Sequence, residues 1–254
     1  MNEPQQLRQR RDDIGASLAA TNKALALIGL GSAGAELDRL DDYSDLDFFV
    51  VAKDGHKAEF SANLAWLSRV RTIRFAFKNT PNGYKVLFED DVYAEFAVLE
   101  LRELESAVYT EGRIVWKDDT FDEQWRIPQK PPVVWKPESR AWLIGEIVTC
   151  LYVGVCRLRR GEQLSAWRFV QGHAFTLLLE LTEFERSDPT LDVFSQERRF
   201  ERRHPDWPAH LGRFLQGYDR VAEAAQEMLA YLDENYAVHP EIKRVILNQI
   251  DSFH

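Results

Sequence analysis

The chain has 254 residues, 45% of them hydrophobic and 29% charged, with a formal net charge of −9 at pH 7. That length and mix suit a soluble protein with a sizeable core, built as one large domain or two modest ones. The excess of acid disfavours nucleic acid as a partner, because tracking its backbone takes a basic stripe, and is compatible with a cationic small molecule drawn to an acidic cleft.

Residues 4–22 predict an amphipathic helix, with Leu7, Ile14 and Leu18 at helical spacing and Arg8, Arg10 and Arg11 outside the apolar stripe. The apolar run Ala24 to Leu30 reads as a strand that breaks at Gly31-Ser32. A second strand opens on Ser44-Asp45-Leu46-Asp47 and continues through Phe48 to Val51. Strand side chains alternate, so Asp45 and Asp47 face the same way. Two carboxylates so placed suit one divalent cation, and Mg²⁺ is usually held by one or two carboxylates plus substrate phosphates. Gly31 lets the backbone approach a phosphate, with the Ser32 hydroxyl beside it.

After Asp54-Gly55, residues 56–69 read as a helix through Phe60, Leu64 and Leu67. Three strands follow, Thr72 to Lys78, Tyr84 to Glu89 and Val92 to Leu99, joined by turns at Asn82-Gly83 and Asp90-Asp91. Glu95 interrupts the last of them, and a charge there costs free energy unless it is paired, protonated or bound to metal. Glu100, Glu103 and Glu105 read as surface residues. Residues 112–117 make a final short strand. Pro128, Pro131, Pro132 and Pro137 mark 121–137 as a linker between residues 1–120 and 138–254.

Beyond the linker the pattern is helical. Residues 138–160 end at Gly161 with arginines in the last turn. A helix over 163–186 follows, then an irregular basic stretch around Arg198 to Arg203, then helices over 208–235 and 240–251. Short connections suggest a bundle. No apolar run approaches bilayer-spanning length. The N-terminal MNEPQQLRQRRDD has no signal-peptide core. Cys150 and Cys156, the only cysteines, fall on different faces of one helix, which disfavours a disulfide. A reduced cytoplasmic protein with no membrane partner is the expectation. Glu146, the only charge between Arg140 and Arg157, reads either as the buried partner of an arginine such as Arg168 or as a contact for a cationic or polyhydroxyl ligand.

The Gly31-Ser32 turn, Asp45-x-Asp47 and their flanking strands resemble the nucleotidyltransferase superfamily. Many of its members carry Gly-Ser-x-Ala-Arg-Gly where this chain has Gly31-Ser32-Ala33-Gly34-Ala35-Glu36. The usual arginine is absent, so the phosphate contacts it makes elsewhere are unassigned here. Val86 to Leu104 looks like the strand pair of the aminoglycoside and lincosamide nucleotidyltransferases, in which a Phe-Glu-Asp turn precedes the third active-site carboxylate; that position is Glu95. The specific motifs all lie before Glu100, although the domain order matches over most of the chain.

The resemblance implies an α+β fold: a nucleotidyltransferase-type mixed sheet with flanking helices, followed by a helical substrate domain. It also implies a Mg²⁺-dependent transfer of a nucleotide from ATP to a hydroxyl of a small acceptor, antibiotics included. Asp45, Asp47 and Glu95 would hold the metals, with Glu95 also taking the acceptor's proton, and Gly31 and Ser32 would meet the phosphates. A homodimer belongs to the same picture. The alternative is an antitoxin-like or non-catalytic member of the same fold that binds or modifies a partner protein.

Overall fold

A computed structural model of the chain describes residues 4–34, 40–41, 43–133, 137, 139–186, 192 and 194–251. The chain divides into two units, Met1–Pro132 and Val133–His254. The fold class is α+β, as the sequence predicts: a mixed sheet with flanking helices in the first unit and helices alone in the second.

Helix α1 (Pro4–Ala19) leads into strand β1 (Ala24–Leu30), a 3₁₀ turn over Gly31–Ala33, and strand β2 (Leu46–Ala52). The predicted helix over 56–69 is two short ones, α2 (Lys57–Ala62) and α3 (Ala65–Ser68). Asn63 separates them in an extended conformation, its Oδ1 accepting from the Ala65 amide at 2.8 Å; an Asn that bonds the local backbone competes with helix. Strands β3 (Ile73–Phe77), β4 (Gly83–Phe88) and β5 (Tyr93–Glu100) form a meander, and helix α4 (Leu101–Leu104) precedes strand β6 (Arg113–Lys117). The sheet order is β3-β4-β5-β2-β1-β6. The β2–β5 pair is parallel, and its four neighbours are antiparallel.

One face of this sheet is covered across β4, β5, β2 and β1, while the edge strand β3 stays largely exposed. Leu46, Phe48 and Val50 from β2, Ala94, Phe96 and Val98 from β5, and Val86 and Phe88 from β4 bury against Leu7, Ile14 and Leu18 of α1 and Trp66 and Leu67 of α3. Phe96 stacks on Phe48 and Tyr84 and meets Trp66 edge-on, with centroids 5.1–5.6 Å apart. Aromatic pairs contribute about 0.5–1.5 kcal/mol each beyond area burial. The other face is covered at one end by Leu104, Tyr109, Phe121 and Trp125, which pack on Ile28, Val51 and Leu99.

Two expectations about charged residues need correcting. Arg10 and Arg11 are buried. The Arg10 guanidinium pairs with Asp90 at 2.5 Å and lies 4.6 Å from the Phe88 ring centroid; a flat, delocalised cation can stack on an aromatic face while it pairs with a carboxylate. Glu100 is buried too. Its Oε1 accepts from the Gly55 amide at 3.0 Å, and with Glu103 it forms a capping box at the start of α4.

In the second unit, α5 (Arg140–Arg159) is followed by α6 (Gln163–Trp167), a π-helical stretch over Arg168–Ala174, and α7 (Phe175–Arg186). Then come α8 (Phe200–Arg203), α9 (Pro208–Phe214), α10 (Val221–Asn235) and α11 (Pro240–Asp251). Leu143, Ile147, Leu151 and Val155 of α5 form the centre of its core. By length and composition α5 could cross a bilayer, contrary to expectation, yet it packs against α7, α10 and α11. The predicted helix over 208–235 breaks where Gly217 takes φ +92°; Gln171 holds that turn through bonds of 2.8 Å to both its amide and its carbonyl. Both cysteines are free thiols on α5.

Candidate functional site

The uncovered end of the second sheet face brings the candidate site residues together. Its residues follow from strand register, because residues directly opposite on neighbouring strands share a face. Leu30, Asp47, Glu95, Lys85 and Phe77 stand opposite one another across β1, β2, β5, β4 and β3. A second row brings Phe75 opposite Leu87, and Leu87 opposite Tyr93. Asp45 directly precedes β2 as Tyr93 begins β5, so the parallel register sets Asp45 beside Tyr93.

Asp41 shapes the approach to β2. Its carboxylate accepts from the Tyr43 amide at 3.0 Å and the Ser44 hydroxyl at 3.0 Å, an Asx turn that delivers the chain to Asp45. Just after β1, Gly31 adopts φ +51°, and a Cβ there would lie 3.8 Å from Asp47 Oδ2. The turn folds back so tightly that a Cβ on Gly34 would come within 2.5 Å of the Gly29 carbonyl oxygen. Ser32 is half-buried. Ala35 and Glu36 lie outside the described residues.

Glu95 Oε1 receives two donors, Lys85 Nζ at 2.8 Å and Tyr93 Oη at 2.9 Å. The Lys85 ammonium is pushed to a higher pKa by its bond to Glu95. The Tyr93 phenol is raised by burial first and then by Glu95, with Asp45 adding its charge. Lys85 and Glu95 side chains keep 36% and 34% of their exposure, so a ligand can reach them. Phe75 and Phe77 are each 54% exposed, on the same face.

Asp45, Asp47, Glu95 and the Gly31 turn are therefore brought to one end of one face. Among the described residues, no group of three or more His, Cys, Asp or Glu stands close enough to hold a metal ion. The two-aspartate part of the set nevertheless fits Mg²⁺, which prefers hard oxygens and takes its remaining ligands from phosphates and water. A cavity of about 410 Å³ lined by Leu25, Lys53, Leu101 and Trp125 lies off the opposite ends of β2 and β5.

In the helical unit, Glu146 is half-buried and forms no ion pair among the described residues. Arg168, its expected partner, is exposed at the start of the π-helical stretch. What Glu146 does touch electrostatically is Cys150, one turn on, whose thiol is raised by burial and then by this charge. Part of the basic stretch around Arg198 to Arg203 is buried. Arg203 Nη2 is buried on Glu183 Oε1 at 2.9 Å, and His204 Nε2 reaches the same oxygen at 2.7 Å.

The residues missed in sequence are Lys85, Tyr93, Phe75 and Phe77. The signal for Lys85 was present: a tight turn at Asp90-Asp91 fixes the β4–β5 register, and counting back from it sets Lys85 opposite Glu95.

No protein-family model matches the chain, and no curated protein matches it in sequence. Among solved structures, it is similar to an aminoglycoside 6-adenyltransferase from Bacillus subtilis, with 14% identity and a TM-score of 0.35 over 99% of this chain and 92% of that one.

Proposed function

We propose that the chain is a nucleotidyltransferase that moves the nucleotide of ATP onto a hydroxyl of a small acceptor. The observation that carries this reading is the register match of Asp47 with Glu95 on adjacent parallel strands, with the Gly31 backbone against Asp47. Asp45 and Asp47 would hold a Mg²⁺ ion, which supplies positive charge to the triphosphate when bound. Gly31 and Ser32 line the approach of the phosphates. The acceptor oxygen forms a bond to the α-phosphorus as the bond from that phosphorus to the bridging oxygen breaks, and pyrophosphate leaves. Glu95 takes the acceptor's proton on Oε2, since Oε1 already accepts from Lys85 and Tyr93. The exposed faces of Phe77 and Phe75 offer a surface for the acceptor's apolar ring face beside that base.

The acceptor is a polyhydroxyl molecule with cationic groups, of the aminoglycoside or lincosamide kind, matched to the acidic balance of the chain. Calorimetric titration of a non-hydrolysable ATP analogue, with and without Mg²⁺, tests the nucleotide half. Binding is expected to need Mg²⁺ and to disappear in Asp47→Asn. Tight binding that survives this substitution would show that the metal and phosphates sit elsewhere.

A further inference from the structure

Two-metal transfer asks the third carboxylate to help ligate a cation. In this chain that carboxylate is already engaged. Lys85 stands opposite Glu95 on β4 with Nζ 2.8 Å from Oε1, and the Tyr93 hydroxyl donates to the same oxygen at 2.9 Å. A carboxylate oxygen has about two lone-pair sites, so Oε1 has no capacity left for a metal. A divalent ion drawn up to Glu95 would also meet the fixed positive charge of Lys85. Asp45, Asp47 and Glu95 do not close into a three-donor cluster.

Resting on the nucleotidyl-transfer reading, we propose that the Lys85 ammonium takes the place of one metal ion. The chain then binds a single divalent cation, through Asp45 and Asp47, and Glu95 remains outside the coordination sphere. Lys85 acts as a positioning residue: it fills Oε1 and leaves Oε2 to receive the acceptor's proton.

The test is Mn²⁺ titration of the full chain, followed by the electron paramagnetic resonance signal of free Mn²⁺, in the presence of saturating non-hydrolysable ATP analogue. Signal taken up by the analogue alone is subtracted. Wild type should hold one protein-dependent ion. Glu95→Gln should leave its affinity unchanged, whereas Asp47→Asn should weaken it at least about tenfold. Lys85→Met, which frees Glu95, should admit a second ion, and Lys85→Arg should not. Two ions on wild type, or loss of affinity in Glu95→Gln as large as in Asp47→Asn, would overturn the proposal while leaving the transferase reading in place. A wild-type chain that binds the analogue neither with Mn²⁺ nor without it would overturn that reading, and the proposal with it.

Discussion

The ion pair between Arg10 and Asp90 ties α1 to the turn that joins β4 and β5, and so to the hairpin that carries Lys85 and Glu95. Arg10→Met keeps most of the side-chain volume but removes the charge. The Arg10 side chain is 5% exposed and that of Asp90 21%, so the carboxylate left behind recovers only part of its hydration. Breaking a buried pair by removing one partner costs about 3–5 kcal/mol. Partial access to water puts this case near the lower end, and loss of the guanidinium over Phe88 adds about 0.5–1 kcal/mol. The expected cost is about 3.5–4 kcal/mol, a large fraction of the roughly 5–15 kcal/mol that holds a domain folded.

Urea unfolding with a signal specific to the first unit measures it, and a cycle with Asp90→Asn isolates the coupling. The pH dependence gives a second check. Burial raises the Asp90 pKa, but hydrogen bonds and charge from Arg10, with help from Gln6, outweigh it and leave the group below its ordinary 3.8. A depressed carboxylate contributes stability that is complete above the unfolded-state value and is lost as pH falls through the folded-state value. The gap between wild type and Arg10→Met should therefore be full at about pH 7 and shrink in the acid range below 3.8. A cost under about 0.5 kcal/mol, typical of an open surface site, would refute the assignment of Arg10 to the core.

Gly34→Ala forces a Cβ against the Gly29 carbonyl and the Leu30 Cα, both backbone, so the Gly31 turn must shift. Affinity for the ATP analogue should drop by about tenfold or more, with about 1–3 kcal/mol of stability lost, as read by calorimetry and urea titration. Phe77→Ala, at an exposed position, should leave stability within about 0.5 kcal/mol but raise the acceptor KM about tenfold in a pyrophosphate-release assay. In the helical unit, Glu180 Oε2 is buried without a hydrogen-bond partner among the described residues, and burial holds that carboxyl above its ordinary value. A raised acid favours folding when protonated, so its penalty is present at neutral pH and fades as pH falls toward 4.5. Glu180→Gln should raise Tm by a few degrees at neutral pH and by nothing in acid; an equal gain at both would rule out ionisation as the cause.

The strands were legible because apolar alternation and Asn-Gly or Asp-Asp turns are local signals, and β1 falls on the predicted residues. Asp45, Asp47 and Glu95 were legible as charges entering apolar strands. Lys85 and Tyr93 were not singled out, since their meaning depends on a partner strand. Arg10 and Glu100 show the limit of hydropathy patterns: each is polar by type and buried by virtue of a partner distant in sequence, Asp90 for one and the Gly55 amide for the other. The π-helical stretch over Arg168–Ala174 leaves no compositional trace, and it shifts the face of every residue after it relative to an uninterrupted helix.

The parallel pairing of β2 with β5 also has a kinetic consequence. Parallel neighbours need a crossover, here the whole segment from α2 through β4, and contacts of that separation close late. A chain with both antiparallel sections formed would carry every side chain of the site and no site. Recovery of ATP-analogue binding during refolding should therefore track the slowest conformational phase rather than the first gain of secondary structure. Stopped-flow refolding with parallel binding and circular-dichroism detection would separate the two, and simultaneous recovery would mean that Asp47 and Glu95 meet early.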